Sequence, residues 1–313
     1  MFEIEEMKFR KEKTQGVQKV HPGLKSVTNA GDDTKQNKAE DKKQWKDKKQ
    51  MDSIRTKMLI GTKGLEHLAK SKVCLFGLGG VGGFIFEALV RSGVGSITVI
   101  DKDIFDESNL NRQLLSTEKT VGLSKVDCAI QRAKEIDPIC KIDGKEIFYL
   151  PETKDSVDLK TYDYVIDAVD TVTAKLLIVE EAKRANVPVI SCMGTGNRLD
   201  PSQLKVADIY ETSNCGLARQ MRKELRKRGV SSLTCVYSTE PALEVRSETL
   251  GNDASKNEAS DTTGPGDVET TEQKPPRKDT PGSMIFVPAA AGMLIASVVV
   301  RELQGGPSDK QGV

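Results

Sequence analysis

The sequence is poor in the residues that build metal and redox centres. Its six cysteines are scattered, no Cys-x-x-Cys pair occurs, and its only histidines are His21 and His67. Structural zinc sites draw their ligands from closely spaced cysteines and histidines, so the sequence argues against such a site. Unpaired thiols of this kind fit a reducing, intracellular compartment, where most behave as small buried apolar groups.

Targeting signals are equally scarce. No apolar stretch of the secretory-signal type is present, and residues 1–50 carry thirteen Lys/Arg and nine Asp/Glu with little apolar periodicity. Mitochondrial transit peptides are poor in acidic residues, so we interpret residues 1–51 as a basic, disordered leader instead. We expect a cytoplasmic protein, with a mitochondrial location as the alternative.

Two further motifs are missing. The sequence contains no Gly-x-x-x-x-Gly-Lys-[Ser/Thr], and Gly61-Thr62-Lys63-Gly64 is too short to replace it, so any ATP site does not use a P-loop. The apolar run 289–300 is too short to cross a membrane and is bounded by Pro288 and Arg301. It predicts a buried core helix, and we expect no stable membrane span.

From about Lys72 onward, short apolar runs alternate with segments of helical spacing. The predicted strands are 73–76, 97–100, 164–168, 187–192 and 233–238, and the predicted helices are 81–92, 124–135, 173–185, 220–228 and 289–300. This alternation predicts an α/β fold, with a Rossmann-like, doubly wound, mostly parallel sheet that is extended on its C-terminal side. We expect one domain at 52–303, with a flexible insertion rich in Thr, Asp, Glu, Gly and Pro at 245–280 and a tail at 304–313.

A glycine-rich turn, Gly77-Leu78-Gly79-Gly80-Val81-Gly82, follows the first predicted strand. Glycines let the backbone approach phosphate closely, and the start of the next helix offers free N–H groups. Asp101 follows the second predicted strand, where a carboxylate can accept hydrogen bonds from ribose hydroxyls. The turn predicts a nucleotide site but does not distinguish NAD, FAD, S-adenosylmethionine and ATP, and it could also serve only to tighten a strand–helix connection.

The stretch Asn109-Leu110-Asn111-Arg112-Gln113 does not belong to a dehydrogenase. A triphosphate carries more charge than the two phosphates of a dinucleotide, so it needs cations beyond the glycine turn. Arg112 can supply a fork of donors and Lys125 a compact charge, while the three amides can orient phosphate. The simpler interpretations are a surface ion pair for Arg112 and a solvated helix charge for Lys125.

Asp170 ends the sequence Asp167-Ala168-Val169-Asp170, which follows a predicted strand. A single carboxylate at this position can hold Mg²⁺ together with nucleotide phosphates. The alternative is that Asp170 only caps the helix that follows.

Taken in order, the glycine turn, Asp101, Asn-x-Asn-Arg-Gln, Lys125 and Asp-x-x-Asp resemble the ubiquitin-activating-enzyme-like adenylation superfamily. Within it, the chain looks most like the tRNA threonylcarbamoyladenosine dehydratase family over about residues 55–303, apart from the insertion. The stretches that carry this closer resemblance include Arg55-Thr56-Lys57-Met58-Leu59-Ile60-Gly61, Gly194-Thr195-Gly196-Asn197-Arg198-Leu199-Asp200-Pro201, Val236-Tyr237-Ser238-Thr239-Glu240 and Gly282-Ser283-Met284-Ile285-Phe286-Val287-Pro288. Sulfur-carrier activators of the superfamily usually have two zinc-binding Cys-x-x-Cys pairs, which this chain lacks.

The resemblance implies a tRNA substrate that bears threonylcarbamoyladenosine beside the anticodon, with ATP and Mg²⁺ as cofactors. The carboxylate of the modification attacks the α-phosphate of ATP, and a nitrogen of the same modification then closes a ring with net loss of water. No protein nucleophile is required, which fits the absence of a Cys–His pairing, and we interpret Cys235 as structural.

The resemblance also implies the role of each site residue. The nucleotide-binding set comprises Gly77, Gly79, Gly80, Gly82, Asp101, Asn109, Asn111, Arg112, Gln113 and Lys125. Asp170 holds Mg²⁺, and Arg55 reaches the ATP of a second subunit, which implies a homodimer. The cationic surface for tRNA is formed by Arg219, Arg222, Lys223, Arg226 and Lys227, unless this helix face is merely solvated.

Three other functions are compatible with parts of the sequence. An activator of a ubiquitin-like or sulfur-carrier protein would also release pyrophosphate, and would imply a carrier or sulfur-transfer partner. An NAD-dependent oxidoreductase would bind nicotinamide, and an inactive scaffold would bind tRNA without turning over nucleotide. Adenylation is favoured over the last two because it gives Arg112, Lys125 and Asp170 a shared purpose.

Overall fold

A computed structural model of the chain describes residues 53–244 and 281–305. The predicted leader, the predicted insertion at 245–280 and residues 306–313 of the predicted tail lie outside these ranges. The helices are α1 (Ile54–Lys70), α2 (Gly82–Arg91), α3 (Lys125–Ile136), α4 (Val172–Arg184), α5 (Gly216–Lys227) and α6 (Phe286–Gln304). The strands are β1 (Lys72–Phe76), β2 (Ser96–Ile100), β3 (Lys141–Lys145), β4 (Tyr164–Asp167), β5 (Val189–Cys192), β6 (Leu204–Asp208) and β7 (Thr234–Ser238).

The strands form one seven-stranded sheet in the order β3-β2-β1-β4-β5-β7-β6. Every neighbouring pair is parallel except β6 and β7, which are antiparallel. The predicted fold class is therefore confirmed, including the extension of the sheet beyond β5. The chain runs from β1 outward to β3 and then returns to β4 on the other side of β1. Open parallel sheets bind ligands at such a switch point, beside the carboxyl ends of the strands.

The central strands are mostly apolar because both faces of the sheet are covered. In β1, Val73 and Leu75 pack into one hydrophobic cluster with α2, α3 and α6, whereas Cys74 and Phe76 pack into a second cluster with α4 and α5. Successive side chains of a strand point to opposite faces, so a strand buried on both sides has no polar alternation. This is the pattern from which the sequence predicted the strand.

α6 is the core helix predicted from the apolar run 289–300. Val287, Ala291, Ile295 and Val299 form its buried stripe, and Gly292 lies so close to α2 that a Cβ there would be 2.7 Å from the Val81 carbonyl oxygen. By length and composition the helix could cross a membrane, but half of its most apolar 18-residue stretch is buried within the fold. Its packing against α1 and α2 accounts for its apolar character.

Three elements, α1, β3 and β6, have no counterpart among the predicted elements. β3 and β6 form the two edges of the sheet, and neither contains a fully buried residue. Their polar sequences therefore lack the apolar runs that mark the central strands. α1 is interrupted at Gly61, where φ is +71°, and only Gly64 and Leu68 are buried along it.

Candidate active site

A cavity of about 990 Å³ opens at the carboxyl ends of the central strands. It lies at the switch point between β1 and β4, where a ligand site is expected. The walls come from the glycine turn, the loop after β2, the start of α3, the turn after β4 and the loop after β5. The predicted site residues that line it are Gly77, Gly79, Gly80, Asp101, Asn109, Arg112, Gln113, Lys125 and Asp170.

Two different structural features account for the glycines of the turn, namely the backbone conformation of the turn and open space beside it. Gly77 has φ of +90°, and a Cβ on Gly82 would lie 1.8 Å from the Gly77 carbonyl oxygen, so both residues are required by the backbone itself. Gly79 needs no left-handed conformation, and no described atom would lie within 4 Å of a Cβ added there. The space at Gly79 is open to the cavity, which suits the close approach of a phosphate. Turn tightening therefore explains Gly77 and Gly82 but not Gly79.

The Asp101 carboxylate is oriented by the backbone on both sides. Its Oδ2 accepts a hydrogen bond from the Leu78 N–H at 2.7 Å, and its Oδ1 accepts one from the Asp103 N–H at 2.9 Å. An ionised carboxylate has about four acceptor positions, so lone pairs are left for ribose hydroxyls. Asp101 thus connects the glycine turn to the loop after β2.

Side-chain amides hold the loop after β2 in place through hydrogen bonds to backbone groups. Asp106 caps a short 3₁₀ turn, and buried Asn109 completes the capping box, since its Oδ1 accepts from the Asp106 N–H at 3.2 Å. Asn111 does not line the cavity. Its Nδ2 donates to the Ser283 carbonyl oxygen at 3.0 Å, which ties the loop to the segment before α6. The structure therefore assigns both asparagines contacts within the protein, beside any contact with phosphate.

Arg112 lies over the glycine turn, and its Cγ is 3.5 Å from where a Cβ on Gly80 would be. Its Nη1 donates to the Ser108 carbonyl oxygen at 2.7 Å and to Asn111 Oδ1 at 3.0 Å. Within residues 53–244 and 281–305 the guanidinium makes no ion pair, in contrast to the simple interpretation as a surface salt bridge. Its other N–H groups are available to a bound anion.

Lys125 begins α3 and is only 6% exposed, so it is not a solvated helix charge. Its Nζ lies 3.3 Å from Asp103 Oδ2, and the Asp103 side chain is itself 53% exposed. Gln113 is also buried, and its Oε1 has no hydrogen-bond partner among the described residues. An unpartnered buried acceptor is unfavourable unless a ligand or water donates to it. A buried cation and an open acceptor thus share one wall of the cavity.

Asp170 is exposed at the turn after β4, and its Oδ1 accepts a hydrogen bond from the Thr171 hydroxyl at 3.2 Å. Thr171, not Asp170, is the residue that precedes the first turn of α4 as its N-cap. No group of three or more His, Cys, Asp or Glu that could hold a metal occurs in the described part of the chain. The donor set therefore fits Mg²⁺ only as an ion shared between one carboxylate and nucleotide phosphates.

Arg55 is exposed on the first turn of α1 and does not line the cavity. The same helix exposes Met58 and Leu59, which are 81% and 87% accessible. Large apolar side chains at such exposure are a feature of interaction surfaces. The structure does not bring Arg55 to the site of its own chain.

The cysteines are free thiols without an activating group. Cys192 lines the cavity and Cys235 lies in β7, and burial raises the pKa of each thiol to about 12. The raised pKa keeps both protonated at neutral pH, whereas nucleophilic cysteines have a lowered pKa. No disulfide links any of the six cysteines.

The basic helix α5 starts at the cavity, since Leu217 in its first turn is a lining residue. Arg219 and Lys223 are exposed one turn apart and make no ion pair with a described residue. Arg226 lies over the Tyr210 ring at 5.0 Å, and Lys227 Nζ pairs with Glu224 at 2.7 Å.

Arg222 differs from the rest of the predicted tRNA surface. It is half-buried, and its Nη1 donates to the carbonyl oxygen of Thr212 at 2.9 Å. The outward basic face consequently includes Arg219, Lys223 and Arg226, whereas Arg222 of the predicted set points inward.

Three segments that line the cavity have no counterpart among the predicted site residues. Residues 147–149 follow β3, an edge strand without an apolar run, and residues 192–196 comprise the last residue of β5 and the loop after it. The third segment contributes Pro281, Ser283 and Pro288 and leads into α6. The second segment contains Gly194-Thr195-Gly196, a glycine pair after a predicted strand that could have indicated a ligand loop. The first segment has no such signal.

The chain is similar to known proteins in both sequence and structure. The model of the ThiF family matches residues 53–311. The tRNA threonylcarbamoyladenosine dehydratase of Bacillus subtilis is 37% identical over 253 residues, which are 80% of this chain and 93% of that protein. The crystal structure of the Escherichia coli tRNA N6-threonylcarbamoyladenosine dehydratase in complex with ATP superposes with a TM-score of 0.65 at 28% identity and covers 82% of this chain and 95% of that one. Its complex with AMP gives a TM-score of 0.66 at the same identity, over 80% and 92% of the two chains.

A Rossmann-like sheet whose switch-point cavity is lined by an open glycine turn, a carboxylate and two cations is the arrangement of a nucleotide-binding enzyme of the adenylate-forming class. Within that class, the chain belongs to the ThiF family and, inside it, to the tRNA threonylcarbamoyladenosine dehydratases.

Proposed function

We propose that this chain catalyses the ATP-dependent dehydration of threonylcarbamoyladenosine next to the anticodon of tRNA, through adenylation of the carboxylate of the modification. The observation that carries the proposal is that one cavity is lined by Gly79, where the backbone is open, by Arg112 and by the buried Lys125. A site for hydride transfer has no use for these cations, whereas a triphosphate needs them.

In this mechanism ATP lies with its ribose on Asp101 and its phosphates over the glycine turn. The substrate carboxylate attacks the α-phosphate, which forms an acyl-adenylate and releases pyrophosphate. A nitrogen of the same modification then attacks the activated carbonyl carbon, AMP leaves, and the ring closes. Arg112 and Lys125 stabilise the negative charge that moves onto the pyrophosphate, and such preorganised donors usually provide the largest part of the rate enhancement.

Asp170 is the residue that would hold Mg²⁺ at this site. When bound there, the ion would supply Lewis-acid stabilisation of the phosphate charge. One protein carboxylate together with phosphate oxygens is a common arrangement for Mg²⁺.

No cysteine takes part in the reaction. Cys192 and Cys235 are buried, with pKa values raised to about 12, which supports direct ring closure without a thioester. The same observation disfavours the activator of a sulfur-carrier protein in its thioester-forming version.

We further propose that the enzyme acts as a homodimer in which Arg55 reaches the ATP of the partner. Arg55 lies outside the cavity of its own chain, on a helix that exposes Met58 and Leu59. A complementation experiment tests this arrangement. Mixing Arg55→Ala with Lys125→Met in equal amounts should restore about a quarter of the parental sites, because half of the randomly re-formed dimers carry one intact site. Mixtures as inactive as the two separate variants would contradict an arginine supplied in trans.

The proposed tRNA surface is the outward face of α5. It begins beside the cavity and carries Arg219, Lys223 and Arg226 in successive turns. Phosphate contacts from such a face release counterions, so tRNA binding should weaken steeply as salt increases.

The overall function is tested by mass spectrometry of nucleosides from modified tRNA after incubation with enzyme, ATP and Mg²⁺. We expect threonylcarbamoyladenosine to lose one water molecule, with AMP and pyrophosphate formed in equal amounts. An unchanged nucleoside, together with adenylation of a Gly-Gly carrier protein, would instead identify the chain as an activator with a carrier or sulfur-transfer partner.

A further inference from the structure

Three polar side chains meet in the core directly behind the turn that carries Asp170. Lys175 on α4, Asp167 at the end of β4 and Ser191 on β5 have no exposed surface. Lys175 Nζ donates to Asp167 Oδ2 at 2.9 Å and to Ser191 Oγ at 3.4 Å, and the Ser191 hydroxyl donates to the same Asp167 oxygen. These residues, the buried polar cluster, have no role in the mechanism given above.

The cluster is connected to the cavity through the second oxygen of Asp167. Asp167 Oδ1 accepts a hydrogen bond from the Val169 N–H at 3.2 Å, while the Ala168 N–H donates to the Phe76 carbonyl oxygen at 2.8 Å. The turn at 168–170 is thereby held on both sides, and all three of its residues line the cavity. The orientation of one buried carboxylate consequently determines where this wall of the cavity lies.

The start of α4 depends on the same cluster. The N-cap residue of α4, Thr171, makes no capping hydrogen bond with its side chain. Lys175, in the first turn of the helix, instead reaches back to the end of β4. The ion pair therefore sets the position of the helix relative to the strand, with the turn between them.

Stability alone does not explain a fully buried ion pair. Removing two charges from water carries a large desolvation penalty, and apolar residues of similar volume often give an equally stable fold. What the pair adds is directional bonding, since the carboxylate must face both the ammonium group and the Val169 amide. The cluster is thus better suited to fixing a geometry than to holding the fold together.

We propose that Lys175 is a positioning residue that acts through Asp167, supported by Ser191, to hold Asp170 where it binds the metal of the nucleotide. This inference rests on the proposed role of Asp170. It predicts that neutralising the cluster weakens metal binding even when the fold stays as stable as that of the parent.

The experiment measures Mn²⁺ binding in the presence of ATP and without tRNA, by electron paramagnetic resonance, together with the melting temperature. Lys175→Met should lower the melting temperature and weaken Mn²⁺ binding about tenfold, the lower end of effects seen for groups that orient metal ligands. In the double variant Asp167→Leu with Lys175→Met no buried charge is left unpaired. Its melting temperature should recover towards the parental value, whereas its Mn²⁺ affinity should remain low. Recovery of both quantities, or parental Mn²⁺ affinity in Lys175→Met, would show that the cluster serves stability alone.

Ser191→Ala provides a milder test that does not depend on the double variant folding. It removes one hydroxyl donor, and we expect Mn²⁺ binding to weaken severalfold with little change in melting temperature. Unchanged binding in this variant would overturn the proposal.

Two control variants separate the positioning role of Lys175 from a general loss of stability and from the metal assignment of Asp170. Glu87→Gln weakens another ion network, in which the buried Glu87 carboxylate pairs with the partly exposed Arg91 and Arg132, and none of these residues lines the cavity. The variant should lower stability without affecting Mn²⁺ binding. Asp170→Asn should weaken binding at least as much as Lys175→Met. Parental affinity in Asp170→Asn would eliminate the metal assignment and the positioning role together, while the dehydration assay on the parent tests the proposed function separately.

Discussion

Replacing Lys125 by Met tests the assignment of the phosphate-facing cations most directly. The change keeps the buried apolar stem but removes the charge. In the folded protein the lost ion pair is with Asp103, at 3.3 Å, and the Asp103 side chain is 53% exposed. Pairs with such an exposed partner contribute at most about 1 kcal/mol to stability, so we expect only a small decrease in melting temperature.

The effect on the reaction should be much larger. Lys125 is 6% exposed, so its interaction with the departing pyrophosphate is weakly screened by water. Removing one preorganised donor to a developing charge raises the barrier by about 2.7–4 kcal/mol, which corresponds to a hundredfold to thousandfold slower reaction. The rate is measured as nucleoside dehydration at saturating ATP, alongside pyrophosphate release.

Lys134→Met is the matched control, because Lys134 is an exposed lysine on the last turn of the same helix. It should retain the parental rate. If Lys125→Met reacts within about twofold of the parent, Lys125 does not contact the phosphates and the assignment of the cavity to a triphosphate loses its main support.

Four other variants test separate parts of the protein. Gly79→Ala should fold normally but bind ATP at least about tenfold more weakly, because its methyl group would occupy the space that the proposed phosphate needs. Gly82→Ala should be strongly destabilised, because its methyl group would clash with the Gly77 carbonyl oxygen. Calorimetry of ATP binding and of unfolding distinguishes the two variants. Cys235→Ala should retain most of its dehydration activity, and a stable variant that binds ATP but does not turn over would contradict direct ring closure. Changing Arg219 and Lys223 together to Glu should weaken tRNA binding and reduce the slope of log affinity against log salt by about two units, as measured by filter binding, with ATP affinity unchanged.

A structural feature could be predicted from the sequence when neighbouring residues in the chain are enough to specify it. β1 and β4 were predictable because strands buried on both faces contain nearly continuous apolar runs, here residues 73–76 and 164–166. β3 and β6 were not, since an edge strand has one neighbour and little burial, so its sequence resembles that of a loop. The core character of α6 was also predictable, because the run was too short for a bilayer and charged at its end.

The functional residues divide in the same way. The glycine turn and Asp101 directly follow β1 and β2, and Arg112 and Lys125 lie in the loop and the helix that come next. Parallel strands place all their carboxyl ends on one edge of the sheet. The sequence by itself therefore determined the fold class and the edge of the sheet at which the cavity lies, and it predicts a ligand with more negative charge than a dinucleotide.

Contacts between distant segments decided the rest. Only the tertiary structure separates Gly79, which leaves space for a ligand, from Gly82, which packs against the backbone of the turn. It also turns Arg222 inward to the Thr212 carbonyl and joins Lys175 and Asp167 in the core. The physical reason is that burial, pairing and free space are properties of neighbours in three dimensions, and those neighbours are brought together by the crossovers of the sheet.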